Sequence, residues 1–212
     1  MTNNAILRKI YYDQNNPASF STADKLFKAA RLEAPSLTLK EVKNWLKNQV
    51  TYTLHKPIRH KFRRRKIVVS AIDEQWQADL VDLQEFAAKN NGYKYLLTAI
   101  DLFSKYAFAV PIKNKKAETV VAAFEKIFKR RIPLKLQTDK GKEFINSSLQ
   151  KFLKNNHVKF FTSHNDVIKC SVVERFNRTL KSKMFKYFTA NGTRKYIDVL
   201  QDFLNSYNNS YH

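Results

Sequence analysis

Asp79, Asp139 and Glu174 are the residues from which a reaction could be built. Asp79 lies in Gln75-Trp76-Gln77-Ala78-Asp79-Leu80-Val81-Asp82-Leu83, whose alternation has the period of two expected of a strand. Asp139 lies in Gln137-Thr138-Asp139-Lys140-Gly141, at a strand end. Glu174 opens Val173-Glu174-Arg175-Phe176-Asn177-Arg178-Thr179-Leu180-Lys181. At about 100° per residue, Val173, Phe176, Leu180, Met184 and Tyr187 gather on one side of that helix. Glu174, Arg178 and Lys181 gather on the other. A structural helix can carry such a stripe as solvated ion pairs, so the placement of the other two carboxylates decides its meaning. Carboxylates that converge without compensation repel and raise one another's pKa values. Hard divalent cations with oxygen ligands are the usual compensation, and Mg²⁺ adds substrate phosphate oxygens to a few carboxylates. Two such ions about 3.5–4 Å apart can activate a nucleophile and stabilise a leaving oxygen in phosphoryl transfer.

The elements that must position these groups follow from the chain order. After Ile67 come three strand-like runs: 75–83, 93–100 and 106–111, with Asn90-Asn91-Gly92 and Asp101-Leu102-Phe103-Ser104-Lys105 as turns. This is an antiparallel meander. A helix over 117–129, a strand over 132–136, a helix over 147–155, a strand over 158–161, the Glu174 helix and a last helix over 196–207 complete the chain. A meander followed by alternating helix and strand gives a five-stranded mixed α/β sheet flanked by helices, in the order of the ribonuclease H-like fold. In that order the first strand is central and the fourth is parallel beside it. Glu174 follows Asp139 by 35 positions, which brings the opening of its helix over the two aspartates.

Residues 1–56 read as a small helical, helix-turn-helix-like domain. A helix over 5–12 is followed by one capped by Ser21 or Thr22, and by a third in which Thr38 and Glu41 form a capping box. Val50 to Leu54 is expected as a strand. A bundle of helices packed on the main domain is the plainer reading of this region. Residues 57–66 form a basic linker, with Arg63, Arg64, Arg65 and Lys66 at its densest point, suited to tracking phosphates or to nuclear import. Residues 67–212 form the main domain, which carries the three carboxylates. The formal charge of +21 favours a polyanionic partner, with nucleic acid first. No run of about 18 apolar residues is present to span a bilayer. The single Cys170 excludes an internal disulfide framework and a Cys-rich zinc site, and fits a reducing compartment.

Trp76-Gln77-Ala78-Asp79, Thr138-Asp139-Lys140-Gly141-Lys142-Glu143-Phe144 and the Val173–Lys181 block together resemble the three signatures of the retroviral-type DDE integrase core, over residues 67–212. Asn91-Gly92-Tyr93-Lys94-Tyr95-Leu96-Leu97, Asp101 to Tyr106 and Tyr52-Thr53-Leu54-His55-Lys56-Pro57 resemble the integrases of Maverick/Polinton elements and virophages. Retroviral integrases begin with a His₂Cys₂ zinc domain, for which this sequence lacks the cysteines.

The resemblance implies that Asp79 bridges two Mg²⁺ or Mn²⁺ ions and that Asp139 and Glu174 each complete one. It implies trimming of element DNA ends, then attack of the freed 3′-hydroxyl on target DNA. Arg178 and Lys181, with Lys169 before the helix, would hold the DNA backbone. The partners implied are double-stranded DNA and further copies of the chain, with no membrane. The location implied is the host nucleus, with packaging in a virion as a further destination. Relatives continue into a further module, often a chromatin or DNA binder, so residues 1–212 are expected to be a truncated piece that integrates poorly alone.

Other groups read more plainly. Asp82 faces away from Asp79, Asp101 belongs to a turn and Glu143 pairs with neighbouring lysines. Cys170 has no nearby histidine to activate it. His157 and His164 end a strand and sit in a loop, and His55 and His60 lack two further zinc ligands. The rival functions are an integrase of another retroelement, a host-adopted DNA-binding protein without catalysis, and a plain ribonuclease H-like nuclease.

Overall fold

The computed structural model describes residues 2–55, 67–162 and 170–211. The basic linker, including Arg63, Arg64, Arg65 and Lys66, lies outside the described residues, as do His60, His164 and Lys169. The chain divides into two compact units, 62–178 and 1–61 with 179–212.

The 62–178 unit holds the sheet. Its strands are β1 (Gln75–Asp82), β2 (Tyr95–Asp101), β3 (Ala107–Ile112), β4 (Lys135–Thr138) and β5 (Lys159–Thr162), in the order β3-β2-β1-β4-β5. β1 pairs antiparallel with β2 and parallel with β4, and β5 is parallel to β4 at the edge. The expected five-stranded mixed sheet is therefore present, with β1 central. A 3₁₀ turn (Gln84–Lys89) follows β1, and Asn91 and Gly92 take positive φ in the turn before β2.

The alternation along β1 gives its two faces different duties. Trp76 and Ala78 enter a core with Phe108, Val120, Phe124, Phe128, Leu149 and Leu153. That core takes the apolar faces of α5 (Ala117–Phe128) and α6 (Ser147–Asn155). Gln75, Gln77 and Asp79 occupy the other face. The start of β1 is fixed by Asp73, which accepts from Trp76 Nε1 at 2.9 Å and from Arg131 Nη2 at 2.7 Å. Arg131 also reaches Asp101 at 3.1 Å. Asp101 is fully buried and accepts from the Phe103 and Ser104 backbone, the turn role read for it.

β4 begins three residues later than the expected 132–136. Pro133 has no N–H to give a ladder, Leu134 N instead donates to Asp73 O at 2.8 Å, and Leu134 is 65% exposed.

The 1–61 and 179–212 unit is helical. It contains α1 (Asn3–Tyr12), α2 (Ala23–Glu33), α3 (Leu39–Lys47), the single turn α4 (Val50–Thr53) and α8 (Leu200–Asn208). The 171–191 helix, α7 (Ser171–Asn191), crosses the division at Arg178. The capping box on α3 is present, with Glu41 N donating to Thr38 Oγ1 and Thr38 N donating to Glu41. The strand expected at 50–54 is absent. Its β-branched residues favour a strand locally, but Thr51 is buried beside the Tyr12 hydroxyl and Thr53 Oγ1 donates back to Gln49 O. Tertiary contact overrides propensity there. The last helix starts at Leu200 rather than 196, and Tyr196 is instead fully buried ahead of it.

Two lysines of α7 are buried. Lys183 Nζ donates to Ser19 O at 2.7 Å and to Ser206 Oγ at 2.8 Å, and Lys186 Nζ donates to Phe20 O at 2.9 Å. Burial, then the charges of Lys186 and Lys25, hold Lys183 down at about 7; burial holds Lys186 down at about 8. Backbone carbonyls and hydroxyls supply the partners that a buried ammonium requires.

Candidate active site

The polar face of β1 meets the first turns of α7 through two amide contacts. Gln77, fully buried, has its Oε1 at 2.9 Å from Val172 N and 3.2 Å from Val173 N. Its Nε2 donates to Gln137 Oε1 at 3.0 Å, across the β1–β4 register pair of the same two residues. Gln75 Nε2 donates to the same Gln137 oxygen at 3.1 Å. The first N–H groups of a helix have no intrahelical acceptor, so a strand amide serves as the cap. One residue pair further along the face, Asn177 Nδ2 donates to Asp79 Oδ2 at 2.8 Å, while Leu80 N donates to Asp79 Oδ1 at 2.7 Å.

These contacts set Glu174 on the turn between the Gln77 cap and the Asn177 tether. Asp139 follows directly on β4, its Oδ1 accepting from Gly141 N at 3.0 Å. The three carboxylates act on the same neighbouring groups. The Asp79 carboxyl is pushed above its ordinary value, by burial first and also by the charges of Asp139 and Glu174; its hydrogen bonds from Leu80 and Asn177 oppose the rise. The buried Cys170 thiol is pushed up to about 12, by burial and then by Asp139, Asp79 and Glu174. A thiol so disfavoured from ionising is no nucleophile.

An oxygen-only donor set whose members repel one another suits a hard divalent cation in its chemistry. Among the described residues, no three His, Cys, Asp or Glu side chains form a group that could hold a metal ion. Asp139 and Glu174 are exposed and Asp79 is half-buried.

Gly141 matters for a different reason from the one its residue type invites. Its φ is not in the left-handed region; a Cβ there would instead stand 2.8 Å from Glu143 Cδ and 3.0 Å from Asp139 Oδ1. Glu143 pairs with a lysine, as read, but with Lys115 of the loop before α5, at 3.7 Å. Asp82 is exposed and accepts from Gln84 N, away from the site. Arg178 is exposed and Lys181 half-buried, four and seven positions beyond Glu174 on α7. His157 has a positive φ of 58° in the turn before β5.

Sequence reasoning missed Gln77 and Asn177. Each stands inside a quoted signature block, two positions before Asp79 and three after Glu174, and an uncharged amide gave no chemical reason to single it out. Asn177 Oδ1 is buried without a hydrogen-bond partner among the described residues. An orphaned acceptor beside a carboxylate is the kind of exception that marks a functional site.

The comparisons agree with this architecture. Residues 70–165 match the integrase core domain family. A transposon-derived protein of Caenorhabditis elegans is 39% identical over 130 residues, covering 60% of this chain and 45% of that protein. The magnesium-bound catalytic core of the HTLV-2 integrase, in its trimeric form, is 25% identical with a TM-score of 0.50, covering 62% of this chain and 82% of that one. A simian T-cell lymphotropic virus intasome chain, in a complex with a PP2A regulatory subunit, shares the fold over 86% of this chain and 67% of its own, at TM-score 0.58 and 21% identity. The chain spans less than half the length of the curated relatives it matches. With β1, β4 and the opening of α7 arranged as described, the sheet has the ribonuclease H-like fold of retroviral integrase catalytic cores, and residues 70–165 are similar to the integrase core domain family.

Proposed function

We propose that the chain is the DNA integrase of a mobile element, catalysing divalent-metal-dependent trimming of element DNA ends and their transfer into host DNA. The observation that carries this reading is the 2.8 Å bond from Asn177 Nδ2 to Asp79 Oδ2, which ties the first turns of α7, with Glu174, to the strand that bears Asp79. Asp79, Asp139 and Glu174 would hold two Mg²⁺ or Mn²⁺ ions, which supply Lewis-acid stabilisation of charge at phosphorus and a more acidic water or hydroxyl. The chain's own residues do the positioning. Gln77 fixes the first turn of α7, Asn177 orients the Asp79 carboxylate, and Gly141 leaves room for Asp139. Arg178, Lys181, Lys169 and the Arg63–Lys66 cluster bind the DNA backbone, a role supported by the charge of +21. The Tyr52–Pro57 and Asn91–Leu97 segments support an origin in the Maverick/Polinton or virophage group, acting as a multimer in the host nucleus.

A DNA-binding protein that keeps the fold without catalysis is the second reading, since the charge of +21 serves DNA binding with or without chemistry. A joining assay with paired DNA ends separates the two. Wild type is expected to give joined product only with Mg²⁺ or Mn²⁺, and Glu174→Gln to give none. Product that forms without metal, or survives Glu174→Gln, would overturn the proposal. Cleavage without joining would make the chain a nuclease, and binding without either would support the second reading.

A further inference from the structure

The edge of the sheet away from β3 carries a groove of roughly 530 Å³ between α6 and β5. Its floor is Leu153 and Val158, both buried, with the half-buried Phe160. Its rim is Lys151, Lys154, His157 and Lys159, all exposed, and among the described residues no carboxylate lines it. None of these four side chains has an ion pair or side-chain hydrogen bond among the described residues. The neighbouring Lys135, the register partner of Lys159, is already tied to Glu74 at 3.3 Å.

Uncompensated like charge around one groove costs free energy in the isolated protein and is relieved by a polyanion. Sequence spacing explains how the charges gather. Lys151 and Lys154 are one turn apart on α6, and the turn at His157, with its positive φ, brings Lys159 back alongside them.

We infer that this groove is a second contact for duplex DNA, gripping the phosphate backbone away from the catalytic carboxylates. The inference rests on the integrase reading for its choice of DNA over another polyanion. The sheet register gives the groove its place relative to the site. Lys159 pairs with Lys135 at the start of β4, and Asp139 comes just after the end of that strand. Four residues at about 3.3 Å make that separation roughly 13 Å along the strand. Duplex rises 3.4 Å per base pair, so this is about four base pairs of helix axis. A duplex with one end at Asp139 is long enough to lie across both.

The test is binding of the full chain to a duplex of arbitrary sequence, by fluorescence anisotropy in EDTA, across a salt series. No chemistry occurs in EDTA, so failure of the joining assay and failure of this one are separable. The variant is Lys151→Gln, Lys154→Gln and Lys159→Gln together. The control neutralises three exposed lysines at α5, Lys116, Lys126 and Lys129, so that both variants lose the same charge. Each lost phosphate contact lowers the salt slope by about one. The groove variant is expected to bind roughly tenfold more weakly, with a slope lower by about two to three. The α5 variant should keep most of the wild-type affinity and slope. Equal losses in both variants would reduce the groove to net charge alone and overturn the inference. Unchanged DNA binding with altered sedimentation would overturn it in favour of an interface between copies. Thermal unfolding of both variants, expected to match wild type, guards against misfolding.

Discussion

Gln77 Oε1 lies 2.9 Å from Val172 N, so a side chain in the middle of the central strand caps the helix that carries Glu174. Removing that oxygen in Gln77→Ala leaves the part-buried Val172 N–H and the buried Val173 N–H without their acceptor, while Gln137 Oε1 keeps its bond from Gln75. Each unsatisfied buried group costs on the order of 1–3 kcal/mol. The larger effect is expected in function, because the Glu174 turn loses its anchor. DNA joining per folded molecule should fall by more than tenfold, while Gln77→Glu, which keeps an acceptor, retains more. Joining that falls only in step with the folded fraction, measured by thermal denaturation, would make Gln77 merely structural.

Asn177, with the Leu80 N–H, favours the charged form of Asp79. Its hydrogen bond favours the ionised carboxylate against burial and the two neighbouring acids. Asn177→Ala should push the Asp79 pKa further up. The acid limb of the pH profile for metal-dependent cleavage then moves to higher pH. An unmoved limb with reduced rate at every pH would assign Asn177 to substrate contact instead.

Asp79 also predicts a stability cost. A carboxyl whose folded pKa is raised contributes stability below its unfolded pKa, near 3.9, that is lost as pH rises through the folded value. At pH 7 the ionised Asp79 is therefore a net strain in the absence of a cation. Asp79→Asn should raise the melting temperature at pH 7 in EDTA and lose any stabilisation by Mg²⁺. A lower melting temperature in EDTA would show that the carboxylate is compensated by the protein itself.

Gly141→Ala tests close approach rather than backbone freedom. The added methyl meets the mobile end of Glu143 and the shorter Asp139 carboxylate at 3.0 Å or less. The Glu143–Lys115 pair gives way cheaply, being partly exposed, whereas turning Asp139 aside breaks its bond from Gly141 N. Stability is expected to change by less than about 1 kcal/mol and metal-dependent cleavage to fall severalfold or more. Double substitution with Glu143→Ala should recover part of the loss; no recovery would place the clash on Asp139 alone.

The buried lysines set a pH dependence of opposite origin. Lys183, at about 7 when folded, binds fewer protons than in the unfolded chain, where lysine titrates near 10.4. Stability therefore rises with pH across that window and is flat for this group below it. Unfolding midpoints measured from pH 6 to 9.5 should climb above pH 7 in wild type and climb less in Lys183→Met. Parallel curves would show that Ser19 and Ser206 hold the ammonium in its charged form throughout.

The sequence alone determined what depends on neighbours in the chain. The three acidic blocks, the apolar stripe of α7, the Thr38–Glu41 box, the bounds of α6 and the order of five strands are all written in local periodicity and residue type. Tertiary structure decided what depends on partners far away. The cap on α7 comes from a glutamine 95 positions earlier. The turn at Val50–Thr53 is helical because Tyr12 reaches Thr51. Lys183 is buried because the turn at Ser19 and the hydroxyl of Ser206 meet its ammonium. Hydrogen bonds between distant residues leave no period in the sequence, and a glutamine in a strand looks the same whether it faces water or the first turn of a helix.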